Sequence, residues 1–129
     1  IFTVIIFLLC CDRYLLLYRF ILWMVTMADF LSAVSELDYA INGDPQYCLP
    51  STINISFKGV DAEGIFLATK DDYAFSNGSA CNSGSHAPSY VLEAMGLPES
   101  RINEAIRISW NHNTKADFQE LVKYINSIS

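Results

Sequence analysis

Apolar and polar positions divide this chain into two regions with different patterns. Over residues 1–27 nearly every position is apolar, and the only charges are Asp12, Arg13 and Arg19. From Ala28 onward the pattern becomes periodic. Phe30, Leu31, Val34, Leu37 and Ile41 recur at helical spacing and predict an amphipathic helix over 28–40, stopped by Asn42-Gly43-Asp44-Pro45. Residues 51–57 then alternate, with Ile53, Ile55 and Phe57 on one side and Thr52, Asn54 and Ser56 on the other, as in a strand covered on one face.

Asp61 is placed to cap a helix running to about Thr69, with Glu63 in its first turn and Ile65, Phe66 and Leu67 facing inward. An extended piece at 73–75 leads into a loop over 76–88 whose Ser, Asn and Gly fit no core-forming period. Helices are expected over 89–95, ended by a left-handed cap at Gly96, and over 99–105. Residues 106–110 alternate again, Ile106, Ile108 and Trp110 inward, Arg107 and Ser109 outward. The last helix, 114–128, takes Thr114 as its cap, Asp117 in its first turn and Phe118, Leu121, Val122 and Ile125 as its apolar stripe. This order of elements predicts an α+β layer over residues 28–129, helices packed on a small, mostly antiparallel sheet, preceded by the apolar N-terminal segment.

The apolar segment admits three readings: a gene-model or fragment boundary, a membrane or interfacial anchor, or a helix buried against a missing partner. Its length suits a bilayer, which needs about 20 apolar residues. Asp12 and Arg13 fit poorly, since each costs about 2.5–3.5 kcal/mol at a bilayer centre. A signal peptide fits no better, without a basic start or a small-residue cleavage site. The chain begins with Ile, and Met24 and Met27 both precede the periodic region.

Charge narrows the partners. Residues 28–129 hold 13 acidic and 6 basic side chains, a net charge of -7, so no basic patch is available and direct nucleic-acid binding is not expected. Cysteines at 10, 11, 48 and 81 form no CxxC pair and no Cys/His spacing suited to zinc. Free thiols are expected rather than a Cys48–Cys81 disulfide, in keeping with a cytoplasmic protein.

Cys81 stands out by its setting. It lies in Ser76-Asn77-Gly78-Ser79-Ala80-Cys81-Asn82-Ser83-Gly84-Ser85, among small residues and between two glycines that free the backbone. A thiol on such a loop suits a carrier that must reach one site and then another. His86 is placed as its proton partner. The same spacing also describes a surface loop whose cysteine is merely free.

The motif context resembles the cysteine desulfurases, fold-type I pyridoxal-phosphate enzymes related to class V aminotransferases. Leu49 to Phe57 is similar to that family's L-P-x-T-x-N-x-S-F strand, and Gly59 to Glu63 to the turn after it. Ser76 to Gly84 is similar to the S-x-G-S-A-C-x-S-G loop, Pro88 to Gly96 to the following helix, and Ile106 to Ser109 to the I-R-x-S strand. The resemblance covers roughly Leu37 to the C-terminus and implies the family's small C-terminal domain. It implies further that Cys81 takes sulfur from L-cysteine as a persulfide for an acceptor protein, with L-alanine as co-product, and that Arg107 holds the substrate carboxylate. On spacing alone Arg107 is equally a surface strand residue with an ion-pair partner. The complete family enzyme is a homodimer using pyridoxal 5'-phosphate. No stretch here matches the motifs of its Schiff-base lysine, its ring-stacking histidine or its aspartate on the pyridine nitrogen, and Lys58 and Lys70 have neither setting. The chain is therefore expected to be inactive alone, or else a non-catalytic remnant or interaction module. Asn77 and Trp110-Asn111-His112-Asn113 depart from the common pattern, toward the desulfurases of DNA phosphorothioation, with His112 read as a surface loop residue.

Overall fold

The computed structural model describes residues 2–69, 73, 75–76, 89–111, 114–115 and 117–129, with side chains from Tyr14 onward. The elements run α1 (Phe2–Ala33), β1 (Tyr39–Ile41), β2 (Thr52–Phe57), α2 (Ala62–Thr69), α3 (Tyr90–Ala94), α4 (Glu99–Asn103), β3 (Ala105–Ser109) and α5 (Phe118–Ile128), with a 3-10 turn at Pro45–Tyr47. The strands form an antiparallel sheet in the order β1-β2-β3, in which Tyr39 faces Phe57, Ile55 faces Ile106 and Thr52 faces Ser109. The expected α+β layer is therefore the observed one.

Alternation sorts the sheet into two faces. Ile53, Ile55, Phe57, Ile106, Ile108 and Trp110 are buried on one of them. There they meet Phe30 of α1 and Val34 just after it, Ile65 of α2, and Leu121 and Ile125 of α5. Phe30 joins three elements: its ring lies 6.2 Å from Trp110 and 5.4 Å, edge-on, from Phe118. On the opposite face α3 and α4 cover one end, where Leu92, Ile102 and Ala105 form a smaller cluster. The other end of that face is left open by the described residues.

The helix predicted over 28–40 ends at Ala33, and Tyr39–Ile41 is strand instead. Leu37, Tyr39 and Ile41 all pack against the main core. Their spacing of two fits a strand as well as 34, 37 and 41 fit a helix, and pairing with β2 decides between them. Upstream, α1 runs unbroken through Met27 into the apolar segment. Trp23 and Met27 pack on the core, and the Trp110 Nε1–H donates to the Trp23 carbonyl at 3.3 Å.

Two further expectations need correction. In α2 only Ile65 of the three named residues is buried, while Phe66 and Leu67 are exposed. Three consecutive helical residues sweep about 200°, wider than the face the core covers. The cap of α5 is Asp117, not Thr114: its carboxylate accepts from the Gln119 and Glu120 N–H groups at 3.0 and 3.2 Å. Thr114 instead accepts from the Asn111 N–H at 2.9 Å and closes the preceding turn. The apolar stripe of α5 is as expected, with Leu121 and Ile125 buried and Phe118 and Val122 packed beside them.

Gly96 ends α3 with φ +75°, as its position predicts. Its N–H donates to the Glu93 carbonyl at 2.8 Å and that of Leu97 to the Leu92 carbonyl at 3.2 Å, the paired bonds of a Schellman cap. Leu97 then packs into the Leu92 cluster, which fixes α3 relative to α4.

Candidate active site

The open end of the polar sheet face carries Thr52 and Asn54 from β2 and Arg107 and Ser109 from β3. Arg107 is exposed there, as its alternation predicts, and among the described residues its guanidinium has no hydrogen-bond or ion-pair partner. Its backbone pairs with Ser76: the Arg107 N–H donates to the Ser76 carbonyl at 2.8 Å, and the Ser76 N–H donates back at 3.2 Å. Ser76, bound in this way to Arg107, is the first residue of the stretch that the sequence pattern predicts to be the Cys81 loop. Cys81, His86, Lys70 and His112 lie outside the described residues.

Because both backbone groups of Arg107 point to Ser76, the Arg107–Asn54 pair across β3 and β2 is of the non-hydrogen-bonded kind, whose side chains stand closer. Asn54 is half-buried and belongs to a polar network beneath the face. Asn42, buried at 6% exposure, donates through Nδ2 to Asn54 Oδ1 at 2.7 Å and to Ser56 Oγ at 2.8 Å. Its Oδ1 accepts from Arg101 Nε at 2.7 Å. Arg101 Nη2 donates to the Ile41 carbonyl at 2.9 Å, and Ser56 Oγ donates to the Arg101 carbonyl at 2.8 Å. Sequence reasoning missed this network: Asn42 reads as a helix stop, Arg101 falls in the helix expected over 99–105 with no role of its own, and only Asn54 and Ser56 carry a signal, as polar positions in β2.

Lys58 is a poor candidate for a Schiff-base lysine. It is exposed and ion-paired with Asp38 at 3.0 Å, and the hydrogen bond and charge of that carboxylate raise its pKa above the ordinary lysine value. An amine nucleophile needs the opposite shift. Lys115 and Lys123, the other lysines among the described residues, are exposed as well, and no step through pyridoxal phosphate is assigned to the described residues. Cys48 is free and exposed, its Sγ donating to the Asp44 carbonyl at 3.2 Å. It borders an apolar cavity of 340 Å³ shared with Met24, Leu31, Ile41 and Leu49, on the side of the domain that packs against α1.

No protein-family model matches the chain. Among solved structures it is similar to a NifS-like protein from Rickettsia africae, with a TM-score of 0.67 over 85% of this chain and 29% of that one. At 20% identity this establishes the fold alone, a small α+β domain like part of that protein. Only 102 of the 129 residues follow Met27, so a match of that extent reaches into the apolar half of α1. DndA of Streptomyces lividans is similar at a TM-score of 0.51 and 29% identity, over 72% of this chain and 26% of that one. Curated relatives are more similar in sequence. The cysteine desulfurase of Trichormus azollae is 41% identical over 93 residues, 70% of this chain and 23% of the relative. The human cysteine desulfurase is 47% identical over 70 residues, 54% of this chain and 15% of the relative. Over 70% of its length the chain is similar to cysteine desulfurases, as a C-terminal portion of one would be, and it spans about a quarter of the length of the first of these relatives.

Proposed function

We propose that this domain is the sulfur-carrying part of a cysteine desulfurase, with Cys81 as the carrier and Arg107 as the anchor for the substrate carboxylate. The observation that carries the reading is the exposed Arg107, whose guanidinium has no partner among the described residues and whose backbone is hydrogen-bonded to Ser76, the first residue of the stretch read from sequence as the cysteine loop. In the proposed reaction the Cys81 thiolate attacks the sulfur of L-cysteine. A sulfur–sulfur bond forms as the carbon–sulfur bond breaks, and the electron pair left on the β-carbon takes a proton to give L-alanine. Pyridoxal phosphate, held by the rest of the enzyme, supplies the electron sink, and His86 exchanges the thiol proton. The persulfide then passes to a thiol of an acceptor protein. The domain acts in the cytoplasm within a homodimeric enzyme, and any membrane association runs through α1.

Mixing the chain with a separately produced lysine-bearing domain of the family, pyridoxal phosphate and L-cysteine tests this. Cys81 should gain the mass of one sulfur atom, and Cys81→Ser should gain none. Sulfur loading elsewhere in the chain, or on Cys81→Ser to the same extent, overturns it. The 129 residues alone should develop no cofactor absorbance and release no sulfide; doing both would make this segment self-sufficient and overturn the division of labour.

A further inference from the structure

The hydrogen bonds under Arg107 have a fixed polarity. A guanidinium only donates, so the Arg101 Nε–H must meet the oxygen of Asn42. The amide nitrogen of Asn42 therefore turns toward β2, where it can meet only the oxygen of Asn54, and Ser56 Oγ, spent as a donor on the Arg101 carbonyl, accepts its other hydrogen. With its oxygen engaged, Asn54 presents its NH2 group to the open end of the face. Directly across the sheet stands Arg107, a second group made only of donors, in a register that brings the two side chains close. Two neighbouring donors with no acceptor between them among the described residues suit an anion that brings its own oxygens.

We propose that Asn54 is a second carboxylate donor beside Arg107, oriented from behind by Asn42 and Arg101. The proposal rests on the reading of Arg107 given above and adds a binding residue to it. Arg107 supplies charge and a two-pronged fork; Asn54 supplies one hydrogen bond from the floor of the sheet. Together they select a carboxylate lying across β2 and β3. An alcohol, an amide or an ester satisfies only part of this set.

The test is a nuclear magnetic resonance titration of the full chain with L-alanine, which carries the carboxylate without a reactive thiol, against L-alanine methyl ester as control. The Asn54 side-chain NH2 and Arg107 Nε–H resonances should shift with L-alanine and stay unmoved with the ester. Arg107→Ala should abolish binding, and Asn54→Ala should weaken it about tenfold, the value of one hydrogen bond to a charged group. Asn42→Asp is the variant that a merely structural role would not predict to matter. It keeps an oxygen toward Arg101, and so the fold, but offers an oxygen where Asn54 needs a donor. The Asn54 amide should then turn its own oxygen outward to pair with Arg107, and affinity should fall at least as far as in Asn54→Ala. If Arg107→Ala abolishes binding while Asn54→Ala and Asn42→Asp leave it unchanged, the role of Asn54 is refuted and that of Arg107 stands. If the wild-type chain shows no shift at Arg107, the Arg107 reading itself fails and this proposal with it.

Discussion

Ile106 is enclosed completely, between the sheet neighbours on either side and the helices that cover its face. Truncating it removes apolar contact and leaves a cavity that a strand held in register from Ile55 cannot collapse into. Ile106→Ala should cost about 2–5 kcal/mol in urea denaturation. The fully exposed Lys58–Asp38 pair behaves differently. Because Asp38 raises the pKa of Lys58 in the folded chain, its small stabilisation is complete below the ordinary lysine value of 10.5 and lost as pH climbs through the higher folded value. In Asp38→Asn the Lys58 titration followed by nuclear magnetic resonance should move down, and its stability should approach that of the wild type only at such alkaline pH. At this scale much was legible from sequence: the inward positions of β2 and β3, and the outward Arg107, follow from alternation alone. The partners of Asn42 were not. Arg101 lies 59 residues away from it, and no local pattern reports a contact made by packing α4 over the end of the sheet.

Among the elements, helix ends separate what sequence specifies from what packing decides. Gly96 was legible because only glycine adopts the left-handed angle cheaply, and space for a β-carbon is open there, with nothing within 4 Å. Gly96→Ala should therefore cost about 1 kcal/mol through backbone strain alone. The start of α5 was misplaced by three residues, since Thr114 and Asp117 are both acceptable caps and only the turn closed by Thr114 selects between them. That selection has a consequence in thermal denaturation. Asp117→Ala should lose about 1 kcal/mol of helix capping, more than Thr114→Ala, whereas equal losses would return the cap to Thr114. The segment around Leu37 to Ile41 was lost for a related reason. Its apolar residues satisfy two periods at once, and the strand wins because β2 lies alongside with unpaired backbone to offer.

For the whole molecule the question is what covers α1. Its lower end is part of the core through Trp23, Met27, Phe30 and Leu31. Above that, Tyr14, Leu15, Leu16, Leu17 and Tyr18 are each more than half exposed. Five consecutive residues at about 100° apart pass all the way round a helix, so no polar side remains to face water. The window from Tyr14 to Ala33 is long and apolar enough to cross a membrane, yet Phe30 inside it is already committed to the domain. Apolar area of this extent, left uncovered, drives association. The 129-residue chain should therefore run in light scattering as a concentration-dependent oligomer that detergent disperses. Removing residues 1–22 spares every α1 residue packed on the core, so that shorter chain should be monomeric with its melting temperature nearly unchanged. Two other outcomes would each be decisive against this assignment of stability to the lower half of α1 and of stickiness to the upper half. One is a monomeric full chain. The other is a truncated chain that melts much earlier, which would mean that the exposed turns of α1 stabilise the domain they extend from.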